Sequence, residues 1–242
     1  MASKKTIHLL LIIILISSLF GALGFLYSFF GLLEQQRAKS IIPLDPFRLL
    51  TLQEIGGHFL FGVIVSLPSK NPKMGLLTGL MAVTIDSDHF LNLAGFHVQL
   101  RIDHSIPFAI LSSILIGIAS TIIYDKISNA KEEVMLPVFS NKYKKLEKVM
   151  KNYIPMIRYN NIFSQFLLIT LAAFISHIAY DVFVDDRARF PLLAPFSFTQ
   201  FIIPRSYGLP IEAGGIFLIY LFYNKGLFAS KKSVTINNYD KS

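Results

Sequence analysis

The chain has 242 residues, of which 53% are hydrophobic and only 16% charged, with 22 Phe and a mean hydropathy of +0.54. This composition excludes an ordinary soluble domain and indicates an all-α, polytopic integral membrane protein. There is no cysteine, which excludes disulfides, thiolate zinc sites and a cysteine nucleophile, so any metal must be held by His, Asp or Glu.

Residues 7–33 follow Lys4 and Lys5 as a nearly unbroken apolar run. The run is too long for the core of a cleavable signal peptide, has no small-residue cleavage site after it, and reads as a retained first helix. Further spans are predicted at 52–67, 74–88, 105–124, 162–184 and 211–228, about six in all. The second and third are shorter or more polar than the roughly 20 apolar residues of a clean span, so they are expected to tilt or to stop short of one surface. The chain thus divides into an anchor helix and outer loop (1–50), a helical membrane domain resembling a hydrolase (51–228) and a polar tail (229–242).

The net charge of +8 sits mainly in loops between apolar runs. Membrane topology accounts for it, and no nucleic-acid partner is expected. With a cytoplasmic N-terminus, sixteen of the 23 Lys and Arg fall on the cytoplasmic side, so the positive-inside rule predicts both termini in the cytoplasm of a cell-membrane protein. The basic cytoplasmic loop 125–160, with KYKKLEKVMKNYIPMIRY, is read either as an amphipathic helix on an anionic inner leaflet or as a solvated linker.

On this topology the polar residues of the spans converge. Glu54 and His58 lie in the outer part of the second span, and Asp86, Asp88 and His89 end the third. His104 opens the fourth, His177 and Asp181 fall in the outer half of the fifth, and Glu212 opens the sixth. Five of the 6 histidines, His97 included, belong to this non-cytoplasmic group, and His8 lies elsewhere. Intramembrane ionisable residues are costly and usually functional, so their delivery from several spans to one depth predicts a site.

His177 and Asp181, four apart, share one helix face and can grip a single ion; the alternative at this spacing is an interhelical hydrogen bond or a buried ion pair. Asp86 and Asp88 flank a helix end where two oxygen ligands can converge, unless they only cap the span in interfacial water. His104 adds a nitrogen. The mixed set suits a divalent ion, zinc first and manganese or iron next, with an open position for water. His58 or His89 alone is better explained as an interfacial polar residue.

The segments EIGGHFLFG, TIDSDHF, DHSIPF, SHIAYD and RFPLLAPFS resemble, in order and near the spacing, the YdjM-like metal-dependent hydrolases of the inner membrane, also labelled LexA-binding hydrolases. The resemblance covers residues 54–196 and extends distantly to zinc phospholipase C and P1 nuclease, all-helical phosphoesterases with clustered zinc. It implies that Asp86, His104, His177 and Asp181 hold one metal, with His58 reaching a neighbouring metal or orienting the site. In two respects this chain departs from the family. Asp103 stands where the family has Thr, with Arg101 and His97 displaced from its usual His-Arg, and the ligands of a third metal have no counterpart after Asp181, so one or two ions are expected.

A metal there would activate water, with whichever of Asp86 and Asp88 does not fully ligate acting as general base. Arg101, Arg187, Arg189 and Arg205 lie in the same outer loops and can neutralise a phosphate, although at least two are better read as solvated charges. FPLLAPFSF is expected to rim the site, with Phe190, Phe196 and Phe198 toward acyl chains or the interface, or else to plug the loop. A site at headgroup depth favours a lipid or lipid-linked phosphoester as substrate, the bilayer being the other partner. The competing expectation is a non-catalytic membrane protein with a structural metal or polar cluster, acting as a scaffold or partner-binding protein. A transporter fits less well, because its polar residues should line a path to both faces or lie in an inverted repeat.

Overall fold

The computed structural model describes residues 4–37, 51–89, 91, 98, 101–133, 162–186 and 188–225. Among these, six α-helices follow one another: α1 Lys4–Arg37, α2 Leu52–Val65, α3 Pro72–Thr84, α4 Ile106–Glu133, α5 Ile162–Val184 and α6 Gly208–Lys225. The expected all-helical architecture carries one addition, an antiparallel hairpin of β1 Ala188–Phe190 and β2 Phe201–Ile203 between α5 and α6, with Phe190 opposite Phe201. Residues 125–133 of the expected basic loop continue α4. The rest of that loop, the last three residues of the predicted sixth span (226–228), the tail 229–242, His97 and Arg187 lie outside the described residues.

Among the described residues, three helices are long and apolar enough to cross a membrane, over Leu10–Leu33, Ile106–Ile123 and Ile162–Val184. At 14 and 13 residues, α2 and α3 rise only about 20 Å, against a hydrocarbon core of about 30 Å. Their ends are set by local chemistry. At α2 a capping box joins Thr51 and Glu54, the Thr51 hydroxyl accepting from the Glu54 amide at 3.1 Å and the Glu54 carboxylate from the Thr51 amide at 3.2 Å. At α3 the Asn71 side chain caps the first turn and Pro72 occupies a first-turn position that needs no donor.

α5 is the central helix. Its apolar window is 67% buried, against 33% for α1 and 39% for α4, and these two present Leu11, Ile14, Phe30, Ile110, Ile118 and Ile122 outward. Such faces are stable against lipid and would be a liability in water. Inside, Phe20 of α1 stacks on Phe108 of α4 at 5.8 Å, and Phe108 meets Phe174 of α5 at 6.3 Å.

Small residues set how closely the helices approach. A Cβ on Gly62 of α2 would lie 2.6 Å from the Thr78 carbonyl and 2.7 Å from the Gly79 Cα of α3, so α2 and α3 touch backbone to backbone. Gly21 and Gly24 of α1 receive the end of α3 in the same way, against Thr84, Ile85 and Ser87. α1 therefore supports the turn that carries Asp86 and Asp88, and is more than an anchor.

Candidate metal centre

Four chain segments deliver polar side chains to one point. On α2, His58 is buried and its ring is fixed by stacking, 4.1 Å and 15° from the His177 ring with the Tyr180 edge at 4.5 Å. Gly57 makes room for that aromatic contact, since a Cβ there would lie 2.0 Å from the Tyr180 ring. Tyr180 in turn donates its hydroxyl to the Gln53 carbonyl at 3.2 Å, tying α5 to the start of α2.

α3 gives way at Thr84 to a tight 3-10 segment, Ile85–Asp88, in which Asp86 leaves helical geometry at φ −67, ψ 23. In a continuous α-helix two residues at i and i+2 would point to nearly opposite sides. The kink lets Asp86 and Asp88 both turn into the protein, where both are buried. Ser87 pins the segment by donating to the Gly21 carbonyl of α1 at 2.7 Å.

The next segment, Ile102–His104, is a 3-10 turn before α4. Ser105 caps α4, its hydroxyl accepting from the Phe108 amide at 3.2 Å, so that hydroxyl is engaged in starting a helix. His104 is fully buried, and its Nδ1 donates to the Asp103 carboxylate at 2.9 Å, which turns Nε2 inward. The Phe190 ring of β1 covers His104, stacked at 5.8 Å and 10°.

On α5, His177 is also fully buried; its Nδ1 donates to the Ala82 carbonyl of α3 at 2.8 Å. One turn on, Asp181 brings its oxygens to 3.3 Å from His58 Nε2 and 3.3 Å from His104 Nε2. Asp86 reaches His58 Nε2 at 3.1 Å, His177 Nε2 at 3.6 Å and His104 Nε2 at 3.8 Å. His104 Nε2 and His177 Nε2 stand 2.8 Å apart. Two groups here can each hold a metal ion, His58 with His177 and Asp181, and Asp86 with His104 and His177; they share His177 and so surround one place. A third group, Asp86 with Asp88 and His89, lies beside them.

Arg101 is the one outer-loop arginine that reaches this cluster among the described residues. It pairs with Asp86, with Asp88 at 3.1 Å and with Asp181 at 3.6 Å. Arg189 sits in the exposed middle of β1, and strand alternation turns it away from the face on which Phe190 covers His104. Arg205 pairs with Asp186 at 3.6 Å and lies over the Phe183 ring at 5.6 Å. Glu54 is spent on its cap, and Glu212 is buried on α6 outside the three metal-competent groups. Of the predicted aromatic rim, Phe190 is packed inside, Phe198 is half-buried, and Phe196 stands out at 87% exposure.

The contributions of Asp103 and Tyr180 are not legible in the motifs. Asp103 registers in the sequence only as a departure from a family pattern, yet its carboxylate orients a histidine of the centre. Asp103→Asn is expected to weaken metal binding about 10–100-fold, as loss of such a partner does, measured by titration with Zn²⁺ or Mn²⁺.

Electrostatics favour a cation at this point. With neutral imidazoles, Asp86, Asp88, Asp103 and Asp181 face one guanidinium and leave three negative charges in excess, which a proton on His104 offsets in part when no metal is bound. Burial and the Arg101 charge work against an imidazolium at His104, but Asp103 and Asp181 outweigh them and raise its pKa to about 10. Without metal, His104 Nε2 therefore carries a proton that it donates to His177 Nε2. A metal must displace that proton, so affinity rises with pH, by about tenfold per unit for each proton released, up to about pH 10. Calorimetric titration in buffers of different ionisation enthalpy counts the protons directly.

Comparison of the chain with known protein families, curated proteins and solved structures returns no match.

Proposed function

We propose that this chain is a membrane-bound metal-dependent hydrolase acting on a phosphoester in a lipid or lipid-linked substrate. The observation that carries the metal is the 2.8 Å separation of His104 Nε2 and His177 Nε2. Both Nδ1 atoms are committed as donors, to Asp103 and to the Ala82 carbonyl. Without metal a proton on His104 Nε2 bridges the two nitrogens, and a shared cation would take the place of that proton and bind the lone pair of each ring. Donors around a tetrahedral zinc ion at about 2.0–2.1 Å stand about 3.3–3.4 Å apart; the separations between histidine nitrogens and carboxylates at this point run from 3.1 to 3.8 Å and bracket that value, and the two Nε2 atoms would open from 2.8 Å to reach it.

His58, His104, His177, Asp86 and Asp181 are the ligands in this reading, and their nitrogen and oxygen donors suit Zn²⁺, with Mn²⁺ or Fe²⁺ as alternatives. A bound ion would supply Lewis acidity and a water of lowered pKa. Asp88 accepts the proton through Oδ1, which has no hydrogen-bond partner. Arg101 holds Asp86, Asp88 and Asp181 in place. A lipid substrate is supported by the neighbouring hairpin region, tied to α4 by the Ile106 amide on the Leu192 carbonyl at 2.9 Å and presenting Leu193, Phe196 and Ile202 outward. A polar centre beside an apolar rim fits an amphipathic molecule. The motif resemblance to YdjM-like hydrolases supports the same chemistry. The apolar runs support about six spans in the cell membrane, and the distribution of Lys and Arg supports cytoplasmic termini and an outward-facing centre.

The complete burial of His104 and His177 favours a second reading, a structural metal in a scaffold protein. Metal analysis of the detergent-purified protein, with a phosphoester panel that includes phospholipids, separates the two. The hydrolase reading expects stoichiometric metal and hydrolysis, both lost in Asp181→Ala. Metal without hydrolysis of any ester supports the scaffold, and absence of metal overturns the centre.

A further inference from the structure

We infer that Arg101 takes the place of a second metal ion, holding the centre to one ion, and that its removal opens a second cation site made by Asp86, Asp88 and His89. The inference rests on the metal reading above and goes beyond it.

One guanidinium engages three carboxylates, two of which also face the histidines of the centre. Its Nε meets Asp88 Oδ2 at 3.1 Å, one terminal nitrogen meets Asp86 Oδ1, and the other lies 3.6 Å from Asp181 Oδ2. Asp86 is thereby shared between Arg101 and the histidine cluster. Its Oδ2 faces His58 at 3.1 Å, while its Oδ1 meets Arg101 and lies 3.6 Å from His177 Nε2 and 3.8 Å from His104 Nε2. A carboxylate shared in this way between neighbouring metal ions would use its two oxygens alike.

A donor set for the second position already exists. Ligand atoms of Asp86, Asp88 and His89 lie within 4.8 Å of one another, and His89 Nε2 is 3.8 Å from Asp86 Oδ1. Asp88 is 1% exposed, and its Oδ1 has no hydrogen-bond partner, an orphaned acceptor at the edge of that set. A buried carboxylate oxygen left unpaired is costly unless a cation completes it. Arg101 satisfies only the other oxygen.

Charge completes the case. With Arg101 and one divalent ion, the four carboxylates Asp86, Asp88, Asp103 and Asp181 keep one negative charge in excess. A second ion beside Arg101 would crowd three cations around Asp86. With Arg101 gone, two divalent ions bring the same four carboxylates to neutrality. Arg101 is 24% exposed, so solvent and ions can reach the space it would vacate.

The test is the Mn²⁺ stoichiometry of the full chain in detergent, together with its electron paramagnetic resonance spectrum. Wild type is expected to bind one equivalent with the signal of an isolated ion. Arg101→Ala and Arg101→Gln are expected to bind two, with the signal of an exchange-coupled pair. Arg101→Lys, which keeps a cation, is expected to bind one. Asp88→Asn in the Arg101→Gln background is expected to return the count to one. Two equivalents in wild type, or one in both uncharged variants eluting as folded protein, overturns the inference and leaves the metal centre standing. No metal in wild type overturns the centre itself.

Discussion

His177→Ala is expected to lose metal binding by more than about 100-fold, beyond the 10–100-fold typical of a lost orienting partner. The reason is that His177 belongs to both metal-competent groups of the histidine cluster, so no subset of the remaining residues reproduces either one. The same ring also serves the fold. It donates to the Ala82 carbonyl of α3 at 2.8 Å and stacks on His58 at 4.1 Å. Removing it leaves a buried carbonyl without its side-chain donor, costing about 1–3 kcal/mol, and withdraws the surface that orients His58. Loss of metal must therefore be separated from loss of packing. Thermal midpoints in detergent do this when measured with a chelator and again with excess metal. Under chelation the variant falls below wild type by the packing cost alone. On adding metal at about 100 times its Kd, wild type gains about 2.7 kcal/mol by linkage and the variant gains nothing. A variant that still shifts with metal would remove His177 from the ligand set.

How far the sequence announces this architecture depends on the range of the interaction. The central helix is legible to the residue, because an apolar run between polar flanks needs no partner to define it, and Ile162–Val184 coincides with the predicted fifth span. The shortness of α2 and α3 is visible as well. The predicted third span, however, runs to Asp88, while the α-helix stops at Thr84 and the last turn tightens; hydropathy registers Ile85 as apolar and is blind to a kink. The hairpin is invisible for a related reason, since three-residue strands carry no alternation to read.

At the centre, the His177 and Asp181 pairing is a helical period and can be read directly; their atoms lie 3.7 Å apart. The capping box of Thr51 and Glu54 is equally local, and it removes Glu54 from the acids available to the site. Arg101 is different. Its partners lie 13 and 15 residues before it and far later at Asp181, so only the tertiary fold distinguishes it from Arg189 and Arg205, which share its charge and its predicted side of the membrane. What the fold adds is the choice of which charges meet.

Gly62→Ala is expected to separate α2 from α3 and to disable the centre without touching any of its side chains. The added Cβ would stand 2.6 Å from the Thr78 carbonyl, 2.7 Å from the Gly79 Cα and 2.9 Å from the Gly79 nitrogen. All three are backbone atoms, so no rotamer change relieves the clash and the helices themselves must move. Overpacking of this kind costs about 1–3 kcal/mol, and a clash with backbone belongs at the upper end. Displacement reaches the metal because His58 rides on α2 while Asp86 and the Ala82 carbonyl that holds His177 ride on α3 and its final turn. A preorganised site tolerates about 0.5 Å, less than the methyl group demands. Gly56→Ala, on the same helix with nothing within 4 Å of its Cβ, is the control; it is expected to keep metal and to gain up to about 1 kcal/mol from helix propensity. Metal content and thermal midpoint of the two variants check the prediction. Equal metal in both would mean that the α2 and α3 contact does not set the distance between His58 and Asp86, whereas selective loss in Gly62→Ala ties the chemistry of the centre to the close approach that a pair of glycines permits.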